Sequence, residues 1–388
     1  MLTKRILRLQ PSATFAIDGK VKSLQAAGIS VVNLTLGEPD FVTPKHIRKA
    51  AIRAITDGFT HYAPIAGIFE LKEAVAKKLL VENGISYQPS EIVIGVGTKQ
   101  LLYSAFQSLC QKGDEVIVAM PTWNTYIEQI KLAEAAPVCI PLLPPFKLTA
   151  NMIEKHCNSK TKVILLNSPA NPTGAVIEKK ELEKIAQLAI ERQIFVLSDE
   201  IYEKLIYERK HVSIASLGEK IKDLTLTING FSKSYAMTGW RVGYAAGPKP
   251  IVEAMIALAG QTTSGTCSIS QKAALHALSG SKKTVEKMVG EFKKRRNYIY
   301  TALRQIQGIV PYKTEGAFYA FCSIEKLLNQ KYKTSQTWCE ALLEKGKVAV
   351  IPGEAFYAPG FIPISFAKPI SDLRKGVGRI KKFIEGEK

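Results

Sequence analysis

The chain has 388 residues, 22% of them charged and 46% hydrophobic, the balance of an ordinary globular protein. That length exceeds the roughly 250–300 residues one core serves, so two domains are expected. The net charge of +19 is dispersed over short runs (Lys77-Lys78, Lys179-Lys180, Lys282-Lys283, Lys293 to Arg296, Lys381-Lys382), which argues against nucleic acid as a partner and for attraction of anionic metabolites. The densest run, at 293–296, falls in a helical pattern and is expected on a solvated face.

No apolar stretch reaches the length of a membrane span, and Met1 to Arg8 lacks the apolar run and cleavage site of a signal peptide. The six cysteines (110, 139, 157, 267, 322 and 339) contain no C-x-x-C pair. Free, buried thiols in a reducing cytoplasm are expected. The five histidines are scattered, without metal-ligand spacing.

In chain order, Leu71, Val75 and Leu79 fall at helical spacing, and Asn83-Gly84 supplies a stop. A strand is predicted from Glu91 into Gly95, running through Gly97 into a helix from Lys99 to Cys110. Further strands are predicted at Glu115, Lys162, Ile194 and Thr225, with a helix from Lys179 to Arg192. Continuous apolar strands separated by helices predict an α/β fold, a largely parallel sheet covered on both faces. Past Lys282 the pattern changes to a long charged helix (283–305), strand-like runs at Gly316, Val348 and Ile362, and a final amphipathic helix from Ser371 to about Ile384. This predicts a smaller α+β domain. The expected division is an N-terminal segment packing with the small domain (1–44), a large domain (45–285) and a small domain (286–388).

Ligands of open α/β sheets bind beyond the carboxyl ends of the strands, so polar residues placed there are the candidates. Gly95-Val-Gly97-Thr98-Lys99 offers glycines and a helix N-terminus to a phosphate. Asn167-Ser-Pro-Ala-Asn171-Pro-Thr-Gly174 is a rigid loop in which Asn171 presents an amide or merely completes a turn. Asp199 ends an apolar strand, as a cap or as a charge meeting a cation, and Tyr202 lies three residues on, at helical spacing. Lys233, among small polar residues including Ser232, is a surface lysine or a nucleophilic amine. Arg241 is a candidate phosphate fork. Together they suit pyridoxal phosphate, which needs a lysine for its aldehyde, a carboxylate for its ring nitrogen and donors for its ring oxygen and phosphate.

In Asn167 to Gly174, Ser198-Asp-Glu-Ile-Tyr202 and Ser232-Lys-Ser-Tyr-Ala-Met-Thr-Gly-Trp-Arg-Val-Gly243, the sequence resembles the class I/II aminotransferases of the fold-type-I pyridoxal-phosphate superfamily, nearest the bacterial aspartate aminotransferases of the Ib type. The resemblance covers nearly the whole chain. It implies that Lys233 carries the cofactor as a Schiff base and shuttles a proton, that Asp199 pairs with the ring nitrogen, and that Tyr202 and Asn171 hold the ring oxygen. It implies that Trp123 stacks on the ring and that Gly97, Thr98 and Arg241 hold the phosphate. Tyr62 matches a tyrosine supplied by the partner subunit, which implies a homodimer with shared active sites. Gly37 would contact substrate, and Ser12 and Lys99 match positions that recognise a distal carboxylate.

Two positions depart from the family pattern. Gly230 stands where a phosphate-binding serine is common. Pro363 stands where the C-terminal motif (Arg, apolar, Ser, aromatic, Ala) has the arginine that clamps the substrate α-carboxylate, and no arginine follows before Arg374. The implied function is ping-pong transfer of an amino group from an aspartate- or glutamate-like donor to a 2-oxo acid. Pro363 keeps open a substrate lacking the α-carboxylate, with an aldehyde acceptor, and a lyase or decarboxylase reaction. The +19 charge keeps a nucleic-acid-binding regulator as the rival from another class.

Overall fold

The apolar segments that alternate with helices become the strands of one seven-stranded sheet. The structure, a computed structural model, describes residues 2–9 and 13–387. Its strands are β1 (Val32–Asn33), β2 (Ile92–Gly95), β3 (Glu115–Met120), β4 (Ala136–Pro141), β5 (Thr161–Asn167), β6 (Phe195–Asp199), β7 (Thr225–Gly230), β8 (Gly243–Ala246), β9 (Val310–Pro311), β10 (Tyr319–Ser323), β11 (Val348–Ala349) and β12 (Phe361–Ser365). The large sheet has the order β2-β8-β7-β6-β5-β3-β4. Every neighbour pairs in parallel except β8, which is antiparallel to both β2 and β7.

Both faces of this sheet are covered, and the strands divide their side chains between two cores. Val116, Val118, Val163 and Leu165 pack with the helix Gly97–Leu109 on one face. Ile117, Ile164, Leu166 and Val196 pack with the helix Lys179–Arg192 on the other. This two-sided burial is why the strands read as continuous apolar runs. Because β2, β3, β5, β6 and β7 run in one direction, their carboxyl ends share an edge. The segments 96–98, 121–123, 167–171, 199–202 and 231–233 therefore leave the sheet side by side.

The last hundred residues form a three-stranded antiparallel sheet, β12-β10-β9. The helices Lys283–Arg304 and Ile370–Gly386 share one apolar core with this sheet. Two N-terminal residues join them: Val32–Asn33 pair in parallel with Val348–Ala349, and Ser365 N–H donates to the Leu34 carbonyl at 2.9 Å. Among the described residues, no helix is long and apolar enough to cross a membrane.

Several expectations are corrected. Arg295 and Arg296 are not on a solvated face: they are 5% and 1% exposed, Arg295 pairing with Asp40 at 2.7 Å and Arg296 with Glu208 at 3.0 Å. Asp199 and Tyr202 are linked by a hydrogen-bonded turn rather than a helix, with the Ile201 amide donating to Asp199 Oδ1 at 3.1 Å. The helix after β2 starts at Gly97, two residues before the predicted Lys99. The cysteines are free, but only Cys110, Cys322 and Cys339 are buried; Cys139 and Cys267 are exposed.

Candidate active site

Lys233 follows β7 by three residues, and its amine donates to the Gly37 carbonyl at 2.6 Å and lies 5.9 Å from the Phe318 ring centre. Burial lowers its proton affinity to about 8; the charges of Arg241 and Lys99 push the same way, against Glu38 and Asp199. An ammonium deprived of water holds its proton less firmly, so this lysine is primed as a nucleophile.

Asp199 ends β6, 1% exposed. Its Oδ2 accepts a hydrogen bond from the Tyr126 hydroxyl at 2.7 Å. Burial raises its carboxyl to about 6, opposed by the bonds from Tyr126 and the Ile201 amide and reinforced by the charge of Glu200. The Asn167 side-chain amide donates to the Asp199 backbone carbonyl at 3.1 Å, and Asn167 Oδ1 accepts from the Asn171 backbone N–H at 2.8 Å. That pair of bonds fixes the loop on which Asn171 sits. The buried Asn171 Oδ1 has no partner among the described residues, so its amide is positioned without being committed. Tyr126, three residues beyond Trp123, is a site residue that the sequence reading missed. Trp123 and Tyr126 meet edge to face with ring centres 5.4 Å apart.

The opposite wall comes from the turn after β6 and from β10. Tyr202 OH and Tyr319 OH lie 3.2 Å apart. A Cβ added at Gly37 would stand 2.7 Å from the Tyr319 hydroxyl, so only glycine passes there without displacing it. Tyr319 also escaped the sequence reading, although its motif was marked as a strand.

Past the end of β2, Gly97 has φ +75° and an added Cβ would lie 2.6 Å from Arg241 Nη2. Arg241 itself is left-handed, φ +53°, and donates from Nη1 to the Thr238 carbonyl at 2.8 Å. Gly230 packs beside this cradle: an added Cβ would lie 3.1 Å from Gly243 Cα and 3.3 Å from Thr98 Cγ2. A larger residue there would crowd the Gly243 backbone and Thr98. Lys99 places its ammonium 4.7 Å from the Trp123 ring centre. Ser232 is buried beside Lys233. Tyr62 is 94% exposed and joins none of these groups within one chain. Ser12 lies outside the described residues.

Pro363 is buried in β12 opposite Phe321, two residues before Ser365 opposite Tyr319. Directly opposed residues of an antiparallel pair share a face. Position 363 therefore lies on the face whose Tyr319 reaches Gly37, and its proline ring brings no charge to it.

An amine of lowered basicity, a buried carboxylate, a pair of aromatic rings and a glycine–guanidinium cradle thus stand along one edge of the sheet. The family model "Aminotransferase class I and II" matches residues 29–380. The chain is 45% identical to an aspartate aminotransferase of Geobacillus stearothermophilus over 99% of both sequences. It is 44% identical to a probable aspartate/prephenate aminotransferase of Aquifex aeolicus, over 99% of this chain and 98% of that one. The solved aspartate aminotransferase of Thermus thermophilus with maleate superposes with a TM-score of 0.95 at 39% identity, covering 99% of each chain. The chain belongs to the class I and II aminotransferases and has their fold-type-I architecture.

Proposed function

We propose that the protein is a pyridoxal-phosphate aminotransferase taking aspartate- or glutamate-like donors, with a 2-oxo acid as acceptor. The observation that carries this reading is the convergence of Lys233, Asp199 and the Gly97–Arg241 cradle at one sheet edge. The residues fit the cofactor: Gly97 leaves room for an anion against Arg241 that a side chain would fill, and Asn171 holds an uncommitted polar side chain. When bound, pyridoxal phosphate supplies an electron sink for the substrate's α-carbanion.

The protein's own groups do the rest. Lys233 takes the proton from substrate Cα and returns it on the other side of the transfer, a role its lowered basicity suits. Asp199 holds a protonated ring nitrogen by charge, Tyr202 and Asn171 hold the ring oxygen, Trp123 covers the ring, and Gly97, Thr98 and Arg241 hold the phosphate. Gly37 offers backbone contact to substrate. Lys99, beside Trp123, meets a distal carboxylate together with Ser12. Tyr62 completes the phosphate site of a partner copy. Its exposure, with Val42 at 73%, Ile52 at 63%, Ile55 at 55% and Phe69 at 57%, supports a homodimer. The segments 1–44, 45–285 and 286–388 serve as N-terminal, large and small domains of a cytoplasmic enzyme.

Pro363 supports a second reading, a substrate without an α-carboxylate. Losing one side of a buried charge pair costs about 2–5 kcal/mol, so standard amino acids would bind roughly 30- to 4,000-fold more weakly. Mixing the purified enzyme with single amino acids and simple amines, and following the cofactor's visible absorbance, separates the two. Bleaching by aspartate or glutamate supports the first reading; bleaching only by amines lacking the carboxylate replaces it with the second. Pro363→Arg is expected to raise kcat/KM for dicarboxylic amino acids at least tenfold, measured by coupled assay.

A further inference from the structure

Behind Asp199, away from the cofactor side, lies a buried acidic turn that the transfer chemistry does not use. Glu200 is 1% and Glu203 6% exposed. Glu203 is matched by Lys78, its direct partner, and by the Asn83 amide at 2.9 Å. Glu200 has a different company. Its Oε1 accepts from the hydroxyls of Ser198 at 3.0 Å and Ser213 at 2.6 Å, and its Oε2 meets His211 Nε2 at 2.9 Å. Among the described residues no lysine or arginine forms an ion pair with Glu200, so His211 is the one cation-forming side chain in contact with it.

Glu200 follows Asp199 in the chain, and its charge adds to the burial that pushes the Asp199 carboxyl up. A buried carboxylate needs a partner or it gives up its charge. Around His211, Glu200 and Glu203 favour its proton, while burial and the charge of Lys78 oppose it, and the net effect is upward. Tyr87 and Tyr244, which also face Glu200, are held neutral by burial and by that charge. With Nε2 on Glu200, the ring's second proton is gained or lost at Nδ1, which is buried and has no partner among the described residues.

We propose that His211 is a positioning residue for Asp199: by neutralising Glu200 it lets the adjacent carboxyl stay ionised where the cofactor's ring nitrogen needs it, although it touches neither cofactor nor substrate. This rests on the cofactor assignment above only for the role of Asp199; the state of His211 is a property of the chain alone.

Two measurements test it. The first uses cofactor-free protein with isotope-labelled histidine. The resonance lost in His211→Gln should remain that of an imidazolium at pH values where an ordinary histidine, near about 6.5, is already neutral. A ring that is neutral at pH 6 overturns the proposal, whatever the enzyme's reaction. The second uses the holoenzyme. In His211→Gln the pH midpoint of the bound cofactor's visible absorbance should move by about one unit and cofactor affinity should fall about tenfold, one unit of pKa being a factor of ten. Adding Glu200→Gln should recover most of both, because it removes the charge left unanswered. A folded His211→Gln enzyme with an unmoved midpoint, or a double variant no better than the single, overturns it as well. Where His211→Gln does not fold, the resonance is assigned through Glu200→Gln, whose substitution should return it to ordinary titration, and the first measurement decides. Wild-type protein that takes up no pyridoxal phosphate would defeat the proposed function while leaving the histidine measurement intact.

Discussion

A lysine amine becomes reactive when water is withheld from it, and Lys233 owes its lowered basicity to burial first and to the charges of Arg241 and Lys99 second. Capture of pyridoxal by the cofactor-free enzyme should therefore accelerate as pH rises to about 8 and then level off. In Arg241→Gln the midpoint should lie higher, read from the rate of absorbance change. Asp199 makes the opposite kind of statement. Its carboxyl is raised from 3.8 to about 6, so as pH climbs through that window the unfolded chain sheds the proton before the folded one. Folded stability of the cofactor-free protein consequently falls from pH about 4 to about 6, and the deficit persists above. Asp199→Asn should melt higher than wild type at neutral pH, with the gap closing toward pH 4, while binding cofactor less tightly; thermal melts with and without cofactor check both. Lys233, Asp199, Asn171 and Arg241 could be proposed from the sequence because each sits in a contiguous motif beside a strand. Tyr126 and Tyr319 could not, because their roles depend on Asp199 and Tyr202, 73 and 117 residues away in the chain.

Among the elements, the strands that could be read were those buried on both faces. In the large sheet, two were missed for local reasons. β4 contains Pro137 and Pro141 and forms an edge of the sheet, where proline is tolerated but the strand signal is weak. β8 is Gly243-Tyr-Ala-Ala246, too short and too small-sided to stand out, and it alone runs against its neighbours. The helix Lys283–Arg304 was read correctly in extent, but not in which charges it buries. Its Phe292, Ile299 and Leu303 face the core, and Arg296 lies on the same side, donating to the Thr314 carbonyl at 3.0 Å and to Glu208. That carbonyl needs its donor once buried. Arg296→Met should lower unfolding stability by about 2 kcal/mol, the scale of a charge-assisted hydrogen bond, measured by urea denaturation. The Lys294→Met change two positions earlier, on the exposed side, should have little effect.

For the whole molecule, the exposed Tyr62 supports a site that one chain does not complete. If two copies share their active sites, Lys233→Ala and Tyr62→Ala enzymes, each impaired alone, should complement one another. After mixing and subunit exchange, half the dimers are hybrids and one site in each is intact. Activity should then approach about a quarter of wild type, followed by coupled assay; no recovery after demonstrated exchange would mean that Tyr62 acts within its own chain or not at all.

The stretch from Val32 to Gly37 connects the strands of the C-terminal part directly to the reactive lysine. At one end it is laced to β11 and, through Leu34, to Ser365 of β12; at the other, the Gly37 carbonyl holds the amine of Lys233. It works as a tie rod between β11 and β12 and the reactive nitrogen. Once Lys233 is engaged elsewhere, that bond is given up, and the Gly37 carbonyl, held in place from its other end, is left to accept from a new donor entering beside the amine.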